Sequence, residues 1–453
     1  MMAVSIWLVS GCSSSSVPVD GGVQEGGLDA DASDADSPTH SAHDADDVRD
    51  EPDVADDGDV EAVVCDDPAD LPVIDRGELV VGAEPTSATI DACTAHGLPF
   101  VAPLGSELEL EVTARGMYGV AAAIVYPDAQ AFDRALVEVD ATPFGGPATV
   151  AFEPRRSGEF VVLLRSAAVD VAQGYDVAIR CVSGCDLETT RFPIVLVHGW
   201  TGFDRIGPLE YFYEVPETLE SHGYSVFVAQ LDPYNSIEVR AEQLAVEVDE
   251  ALRNGRAREV NLIAHSQGGL DSRQLITNLG YGDRVSSLTT IATPHRGTPL
   301  CDVALGLLPG AGEAALSGLL NLLGATAVGS ESDAEASFAS MTEDYVQNVF
   351  NPATPDDPRV SYISWTGRTC LYGISCDDVC DIEIRWSYDI IYALAGDNDG
   401  IVPVSSASWG DYRGEVPADH FDEVGQLFGV TNDSFDHRAF YLERARDLAA
   451  EGH

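Results

Sequence analysis

Between residues 64 and 186 the apolar positions follow the two-residue period of half-buried β-strands. Leu108, Leu110 and Val112 alternate with three glutamates, which gives one apolar and one charged face. Other β-type runs, separated by turns rich in Gly, Pro and Asp, are Ala121–Tyr126, Ala148–Phe152, Glu159–Leu164 and Tyr175–Ile179. Short strands at this spacing predict a small all-β sandwich, which we expect to act as a spacer or to bind substrate or a surface.

After residue 190 the pattern changes to continuous apolar runs, which are typical of strands buried on both faces. These runs are Phe192–Val197, Tyr224–Gln230, Glu259–Ile263, Ser286–Ile291, Val360–Trp365 and Tyr388–Leu394. Helical patterns lie between them, as in Ser236–Asn254 and Gln267–Asn278. Alternating strands and helices predict an α/β fold over residues 190–453, with a mostly parallel sheet covered by helices on both faces.

The first 63 residues have a different composition. Met1–Val9 is short and apolar and is followed by Ser10, Gly11 and Cys12, which resembles the lipobox of bacterial lipoproteins. We therefore expect residues 1–11 to be a lipoprotein-type signal segment and Cys12 to carry a lipid anchor, with the protein exported to the cell envelope or the medium. Residues 12–63 are rich in Ser, Gly, Asp and Ala, which predicts a disordered acidic linker.

Charge and cysteine content limit the possible binding partners of the chain and indicate its redox compartment. The chain has 76 acidic and 24 basic residues and a formal net charge of -52, which argues against electrostatic binding of nucleic acid or an anionic membrane. Nine cysteines fit an oxidising compartment. Besides Cys12, four precede residue 190 (Cys65, Cys93, Cys181, Cys185) and four follow it (Cys301, Cys370, Cys376, Cys380), which predicts disulfides within each domain. Zinc is the alternative, but no histidine stands at ligand spacing near them.

The segment Val260–Gly269 combines a strand, a sharp turn and the start of a helix around Ser266. A nucleophilic serine needs such a turn, and small residues two positions before and after it let strand and helix cross closely. Gly268 fits this pattern, whereas Ala264 stands where Gly is usual. The alternative is a serine that only caps the helix. The backbone amides of Gln267 and of Trp200, after the first strand, are candidate oxyanion donors.

The base and the acid follow from the chain order nucleophile, acid, histidine that this fold requires. Three histidines remain late in the chain: His420 on a turn-rich loop, His437 in an amphipathic helix and the terminal His453. A loop suits a base, so His420 is the candidate. The run from Gly396 to Gly400 offers Asp399 as the acid, with Asp397 in reserve.

The chain from Phe192 to the C-terminal helix resembles the calcium-dependent true lipases of Pseudomonas and Burkholderia type, which have the α/β-hydrolase fold. The resemblance rests on five segments in the same order: Pro193–Gly199, Val260–Gly269, Thr293–Gly297, Asn398–Gly400 and His420–Val430. It implies Ser266, Asp399 and His420 as a catalytic triad, with Trp200 and Gln267 as oxyanion donors. The part before residue 190 is weakly similar to β-sandwich modules appended to secreted bacterial hydrolases.

The same resemblance implies a structural calcium ion bracing the loop of the catalytic histidine. Its ligands would be the Asp422 carboxylate, the Gln426 and Val430 carbonyl oxygens, and Asp377 or Asp378. The alternative for Asp422 is a carboxylate at a helix start. Family members with a disulfide carry a cysteine near the position of Ser405, so that bridge is absent here or rewired through Cys370, Cys376 and Cys380.

A long insertion follows Gly297, and the resemblance implies that about residues 301–350 form a helical lid over the site. Leu316, Leu319, Leu320 and Leu323 repeat at helical spacing before Gly324. The alternative is an ordinary packed helix pair.

We expect a triacylglycerol lipase that cleaves long-chain esters at an interface. A short-chain or polyester carboxylesterase with the same triad, or a non-catalytic surface binding protein, are the alternatives. A dedicated folding chaperone is a further implication of the resemblance.

Overall fold

The computed structural model describes residue 65 and residues 71–200, 205–206, 209–308, 333–372, 377–426 and 428–453. The expected signal segment, Cys12, the acidic linker before Cys65, and Leu316 to Gly324 of the predicted lid lie outside the described residues. Among the described residues, no helix combines the length and apolar character needed to cross a membrane.

Residues 73–183 form two stacked antiparallel-rich sheets, which confirms the predicted all-β region. One sheet has the strand order β1-β3-β8-β5-β6 and the other β2-β9-β4-β7. The strands are β1 (Val73–Asp75), β2 (Thr86–Ile90), β3 (Ala95–Ala102), β4 (Glu107–Arg115), β5 (Val120–Val125), β6 (Val137–Ala141), β7 (Ala148–Phe152), β8 (Gly158–Ser166) and β9 (Gln173–Ser183).

The sandwich core follows from the alternation in β4. Leu108, Leu110 and Val112 are buried with Phe100 and Phe160 between the sheets, while the alternating glutamates lie on the outer face. Phe160 stacks on Phe100 and meets Phe152 edge-on. Burial of this apolar face is the main stabilising contribution to the two sheets.

Disulfides follow the prediction in the sandwich but only in part beyond it. Cys65 is bonded to Cys93, and Cys181 to Cys185. In the second half Cys370 is disulfide-bonded, whereas Cys301 and Cys380 are buried free thiols. The expectation that the later four cysteines pair among themselves is therefore wrong for these two, and Cys380 does not serve in a rewired bridge.

A six-stranded parallel sheet with the order β13-β10-β14-β15-β16-β17 forms the second half, which confirms the α/β-hydrolase prediction. Its strands are β10 (Ile194–Val197), β13 (Val226–Val228), β14 (Val260–His265), β15 (Val285–Ile291), β16 (Ser361–Gly367) and β17 (Asp411–Val416). A two-stranded ribbon, β11 (Arg205–Ile206) with β12 (Leu209–Glu210), follows β10.

Helices pack on both faces of this sheet. They are α1 (Val215–Ser221), α2 (Ile237–Gly255) and α3 (Gln267–Thr277), then Pro299–Ala304, Ala334–Ala339, Glu343–Tyr345 continued through a π-helical turn at Val346–Phe350 to Asn351–Ala353, then Arg385–Ala395, Val404–Ala407 and His437–Ala450. Ser236 caps α2 by accepting from the Val239 amide.

The predicted strand Tyr388–Leu394 is wrong, because this run belongs to the helix Arg385–Ala395. Its buried residues Ser387, Tyr388 and Ile391 follow the helical period, and Tyr388 stacks on Tyr392 one turn later. The sixth strand is instead β17, which the sequence reasoning missed because its residues are largely polar and exposed at the sheet edge.

Candidate active site

Ser266 sits at the turn between β14 and α3, where a strand gives way to a helix at the carboxyl edge of the sheet. Its φ of 54° and ψ of -130° lie in a region that non-glycine residues rarely adopt. Two contacts hold the turn: the Ser266 amide donates to Ile291 O at 2.9 Å, and the Thr293 hydroxyl donates to Ser266 O at 2.8 Å. The side chain makes no cap hydrogen bond to the helix, so the alternative of a capping serine does not describe it.

Two glycines allow this turn to approach the first strand. A Cβ on Gly199 would lie 2.5 Å from the Ser266 Cβ, and a Cβ on Gly268 would lie 2.7 Å from the Val197 carbonyl oxygen. Both distances are shorter than any side chain tolerates, so these positions require glycine. Ala264, by contrast, is buried within β14, where its methyl group is accommodated.

His420 and Asp399 contact each other at the same sheet edge. The His420 Nδ1–H donates to Asp399 Oδ2 at 2.8 Å, which leaves Nε2 as the basic nitrogen. The other Asp399 oxygen accepts from the amides of Ile401 and Val402. Asp397, the reserve acid, is half exposed and pairs with Arg368 instead, so the structure brings Asp399 and not Asp397 to the histidine.

Ser266 and His420 line one cavity, whose atom-free space, part of it open to solvent, is about 520 Å³. Ser266 is only 4% exposed and His420 only 6%, so both face the cavity rather than bulk solvent. Most of the wall is apolar: Trp200, Tyr211, Pro294, Leu300, Cys301, Phe338, Met341, Ile401, Val402 and Phe421, together with Thr298 and Gln426. The arrangement places a serine and a histidine at the wall of one mostly apolar cavity.

A buried arginine holds the loop that carries Trp200. Arg240 is fully buried, pairs with Asp271 at 2.7 Å, and donates from Nη2 to His198 O at 2.7 Å. It therefore fixes the strand end immediately before Gly199 and Trp200. Burial raises the pKa of Asp271 to about 7, against the opposing charge of Arg240. The second oxyanion candidate, Gln267, is fixed through its side chain, which donates to Asn235 O and accepts from Ser337.

The sequence reasoning missed a hydrogen-bonded chain of side chains behind Ser266. The Gly199 amide donates to the Tyr211 hydroxyl, which donates to His265 Nδ1 at 2.6 Å. His265 Nε2 then donates to Glu423 at 2.8 Å, and that carboxyl lies 3.7 Å from His420 Nδ1. Burial keeps the pKa of His265 well below its usual range and that of Glu423 well above it. No spacing in the sequence signals this chain, because its members come from distant segments.

An acidic cluster lies beneath the loop that bears His420. Carboxylate oxygens of Asp381, Asp419 and Asp422 can all lie within 4.8 Å of one another. Burial, together with the neighbouring charges of Asp378 and Asp381, raises the pKa of Asp422 to about 7. Asn432 bridges Asp378 and Asp422 by donating to both. Such crowded oxygen donors fit a hard divalent cation.

The structure distinguishes the two upstream candidates for a calcium ligand. Asp422 lies in the cluster, and of the two upstream candidates Asp378 is buried beside it whereas Asp377 is exposed. The Gln426 and Val430 carbonyl oxygens stay predicted ligands, while the Gln426 side chain lines the cavity beside Ser266 and the Val430 side chain is exposed. Asp381 and Asp419 were missed, since aspartates are too common in this chain for two of them to stand out.

The described flanks of the predicted lid are packed rather than free. Cys301, Phe338, Val346 and Phe350 share an apolar cluster with Ile237 and Leu270. Phe338 also contacts Trp200 at the cavity wall, with ring centroids 5.0 Å apart. From these flanks Cys301, Phe338 and Met341 form part of the cavity wall. A movable cover stays a prediction for the residues between them.

Comparisons with known proteins find one matching family model and several lipases that are similar to this chain. A family model described as palmitoyl protein thioesterase matches residues 193–355. A triacylglycerol lipase of Vibrio cholerae is 32% identical over 262 residues, 53% of this chain and 82% of that protein. A triacylglycerol lipase of Burkholderia plantarii is 36% identical over 291 residues, 53% of this chain and 81% of that protein.

Among solved structures, a Bacillus licheniformis lipase in its mature form aligns with 57% of this chain and 91% of its own, at 20% identity and a TM-score of 0.44. A Staphylococcus hyicus lipase aligns with 60% of this chain and 97% of its own, at 19% identity and a TM-score of 0.42.

Proposed function

Because the chain belongs to the triacylglycerol lipase family of carboxylic ester hydrolases, we propose that Ser266, His420 and Asp399 cleave long-chain esters, triacylglycerol first. The observation that carries the proposal is the cavity into which both Ser266 and His420 face, with His420 held by Asp399 at 2.8 Å. A serine and a histidine at one wall of an apolar chamber can attack an ester whose acyl chain lies in the chamber.

In the proposed reaction His420 Nε2 takes the proton of Ser266 as the Ser266 oxygen attacks the ester carbonyl. The tetrahedral intermediate collapses, His420 returns the proton to the leaving alcohol, and an acyl-enzyme remains. Water, activated by His420, then releases the fatty acid. Asp399 holds the imidazole with Nδ1 protonated, so Nε2 stays free to accept.

The amides of Gln267 and Trp200 are the proposed oxyanion donors. Gln267 is the first residue of α3, so its amide points out of the helix N-terminus beside Ser266. The Trp200 loop is supported by Arg240 through the His198 carbonyl. Loss of one such donor typically lowers kcat by about a hundredfold or more.

We also propose that a calcium ion binds at the acidic cluster, through Asp422, Asp378 and the Gln426 and Val430 carbonyl oxygens, with Asp381 and Asp419 close by. Calcium would neutralise crowded buried carboxylates and brace the loop between His420 and Asn432. Asp419 already accepts hydrogen bonds from the amides of Asp381, Phe421 and Asp422, so its carboxylate orients the cluster. The role is structural, and no step of ester cleavage passes through the ion.

Export and lipid anchoring through Cys12 are further parts of the proposal. The two disulfides Cys65–Cys93 and Cys181–Cys185 support folding in an oxidising compartment. Metabolic labelling with a radioactive fatty acid, compared between the wild type and Cys12→Ser, tests the anchor. A dedicated folding chaperone is proposed only by analogy and is tested by refolding the purified chain alone.

The catalytic proposal is tested with esters of increasing acyl length, assayed below and above their solubility limits. We expect the rate to rise with chain length and to increase at the oil–water interface, and Ser266→Ala to lower kcat by about a millionfold. Ser405→Ala, an exposed serine at the same sheet edge, is the matched control and keeps wild-type activity.

Equal rates for Ser266→Ala and the wild type would refute the nucleophile. Activity confined to short or polymeric esters, without an interfacial increase, would support the carboxylesterase alternative with the same triad. No turnover on any ester would support a binding protein.

A further inference from the structure

The β-sandwich has one end that faces away from the catalytic sheet. The strand pairing places four connections together there, because Val120 pairs with both Ala141 and Ser166, and Ile90 pairs with Gln173. These connections span residues 91–94, 116–119, 142–147 and 167–172. We call this end the distal tip.

Two adjoining loops of the distal tip expose large apolar side chains. Met117 is 73% exposed and Phe144 is 83% exposed, and Tyr118 beside Met117 is also exposed. Residues 116–119 and 142–147 contain no charged residue, although 22% of the chain is charged. Single exposed apolar residues are common on protein surfaces, but three on adjoining uncharged loops form a patch that water solvates poorly.

The backbone at Phe144 adds a second observation. Phe144 has a φ of 55°, in the left-handed region that costs a non-glycine residue roughly 1–2 kcal/mol. Its side chain is exposed, so packing within the chain does not offset that cost. A strained backbone that presents an aromatic ring to solvent suggests that the ring has a partner outside the chain.

The opposite end of the sandwich contacts the catalytic half. Arg156 donates to the Arg256 carbonyl at 3.2 Å, Arg258 pairs with Glu159 at 3.2 Å, and the Ser157 hydroxyl donates to the Gly223 carbonyl. Gly223, Arg256 and Arg258 precede β13 and β14, so these contacts lie at the amino edge of the parallel sheet. Ser266 follows β14 at the carboxyl edge, so the distal tip and the cavity lie at opposite ends of the molecule from residue 65 onward.

The position of Cys65 favours a membrane as the partner of the distal tip. Cys65 is bonded to Cys93 in the 91–94 connection, so the residue to which the acidic linker is joined lies at the distal tip. A lipid attached at the start of that linker would join the membrane to the end of the molecule that bears the tip, rather than to the end that bears the cavity. The net charge of -52 and the exposed Asp91 and Asp170 on the neighbouring loops disfavour an anionic surface.

We propose that the distal tip inserts Met117, Tyr118 and Phe144 into the surface of a zwitterionic phospholipid bilayer, which directs the cavity away from that bilayer. The insertion does not depend on catalysis, and it adds an apolar contact to any anchor at Cys12.

The test uses the full chain with Cys12→Ser, so that acylation does not contribute, and phosphatidylcholine vesicles as the probe. The tip variant is Met117→Ser, Tyr118→Ser and Phe144→Ser combined. The matched control is Val80→Ser, Leu104→Ser and Val182→Ser, three exposed apolar residues elsewhere on the sandwich. Hydrolysis of a water-soluble ester, expected to be unchanged in both, verifies folding without involving the tip.

We expect the parent and the control to co-sediment with the vesicles and the tip variant to lose about a hundredfold in partitioning. Vesicles rich in phosphatidylglycerol should bind the parent more weakly. Equal binding of the tip variant and parent, or equal loss in the control, would overturn the proposal. A parent that is a dimer without vesicles and a tip variant that is a monomer would also overturn it, because the patch would then join two copies.

Discussion

The sandwich interior and the carboxyl edge of the parallel sheet bury very different side chains. In the sandwich the core is mostly apolar, and its buried His96 meets a single partner, the Tyr175 hydroxyl at 2.9 Å. At the sheet edge His420, His265, Asp399 and Glu423 are buried side by side. Burying ionisable groups costs free energy, so a fold concentrates them only where they are held by partners or used. The difference assigns stability to one region and chemistry to the other.

The largest expected effect separates the two histidines. His420→Ala should lower kcat by about a millionfold, because no other group can take the Ser266 proton. His96→Ala should leave kcat unchanged but lower the free energy of unfolding by about 1–3 kcal/mol, since Tyr175 loses its partner. Steady-state kinetics and urea unfolding of both variants measure the contrast, which fails if His420→Ala keeps substantial activity.

A smaller effect concerns the buried Arg240–Asp271 pair and the exposed Arg180–Glu111 pair of the sandwich. Arg240→Met should cost about 3–5 kcal/mol in unfolding free energy, because it leaves Asp271 buried without its partner. Arg180→Met should cost under about 1 kcal/mol.

The double variant Arg240→Met with Asp271→Leu sharpens this test. It should recover stability, since no buried charge remains, but not kcat, since the His198 carbonyl is no longer held. Recovery of both would mean that Arg240 supports the fold alone and does not position the Trp200 loop.

Calcium should stabilise only the catalytic half. At a hundredfold excess over Kd, binding adds about 2.7 kcal/mol to the unfolding free energy, so EDTA should lower Tm. Asp422→Asn should abolish the response, whereas Asp377→Asn, exposed beside the cluster, should retain it. Amide exchange should slow in residues 377–430 and not in the sandwich. If the Tm of the wild type changed with neither calcium nor EDTA, the result would contradict the proposed calcium site.

The smallest effect is on the pH dependence of stability. Burial lowers the pKa of His198 to about 3, and its ring is fixed as the neutral form by donating to Gly199 O and accepting from the Leu231 amide. Below about pH 6.5 His198 binds a proton in the unfolded chain, whereas in the folded chain it stays neutral down to about pH 3. Stability contributed by this group therefore falls as pH decreases, by about 2 kcal/mol at pH 5. His198→Gln should flatten that slope in urea titrations, and an unchanged slope would exclude the contribution.

Period and chain order predicted much of this architecture. The alternation around Leu110 and the apolar runs such as Phe192–Val197 predicted the sandwich and the parallel sheet, because burial on one or two faces imposes those patterns. The run Tyr388–Leu394 was wrongly predicted to be a strand, because a short apolar segment is equally typical of a strand and of a buried helix. The polar edge strand Asp411–Val416 carries too little apolar signal to be found.

The candidate site shows the same limit. The order of Ser266, Asp399 and His420 in the chain is a rule of the fold, and the structure brings these residues to one edge. Tyr211, Arg240 and Glu423 reach that edge from segments whose local patterns look ordinary, so only the packed structure identifies them. Asp378 rather than Asp377 faces the acidic cluster for the same reason, because the choice depends on which side of a turn is buried.

The most direct test of the central claim is covalent trapping of the nucleophile with a long-chain p-nitrophenyl alkylphosphonate, followed by peptide mass spectrometry. The account predicts one phosphonate per chain, on Ser266, with loss of ester hydrolysis in proportion to labelling and no label in Ser266→Ala. Complete inhibition with the label on another residue, or an active enzyme whose Ser266 never reacts, would contradict it.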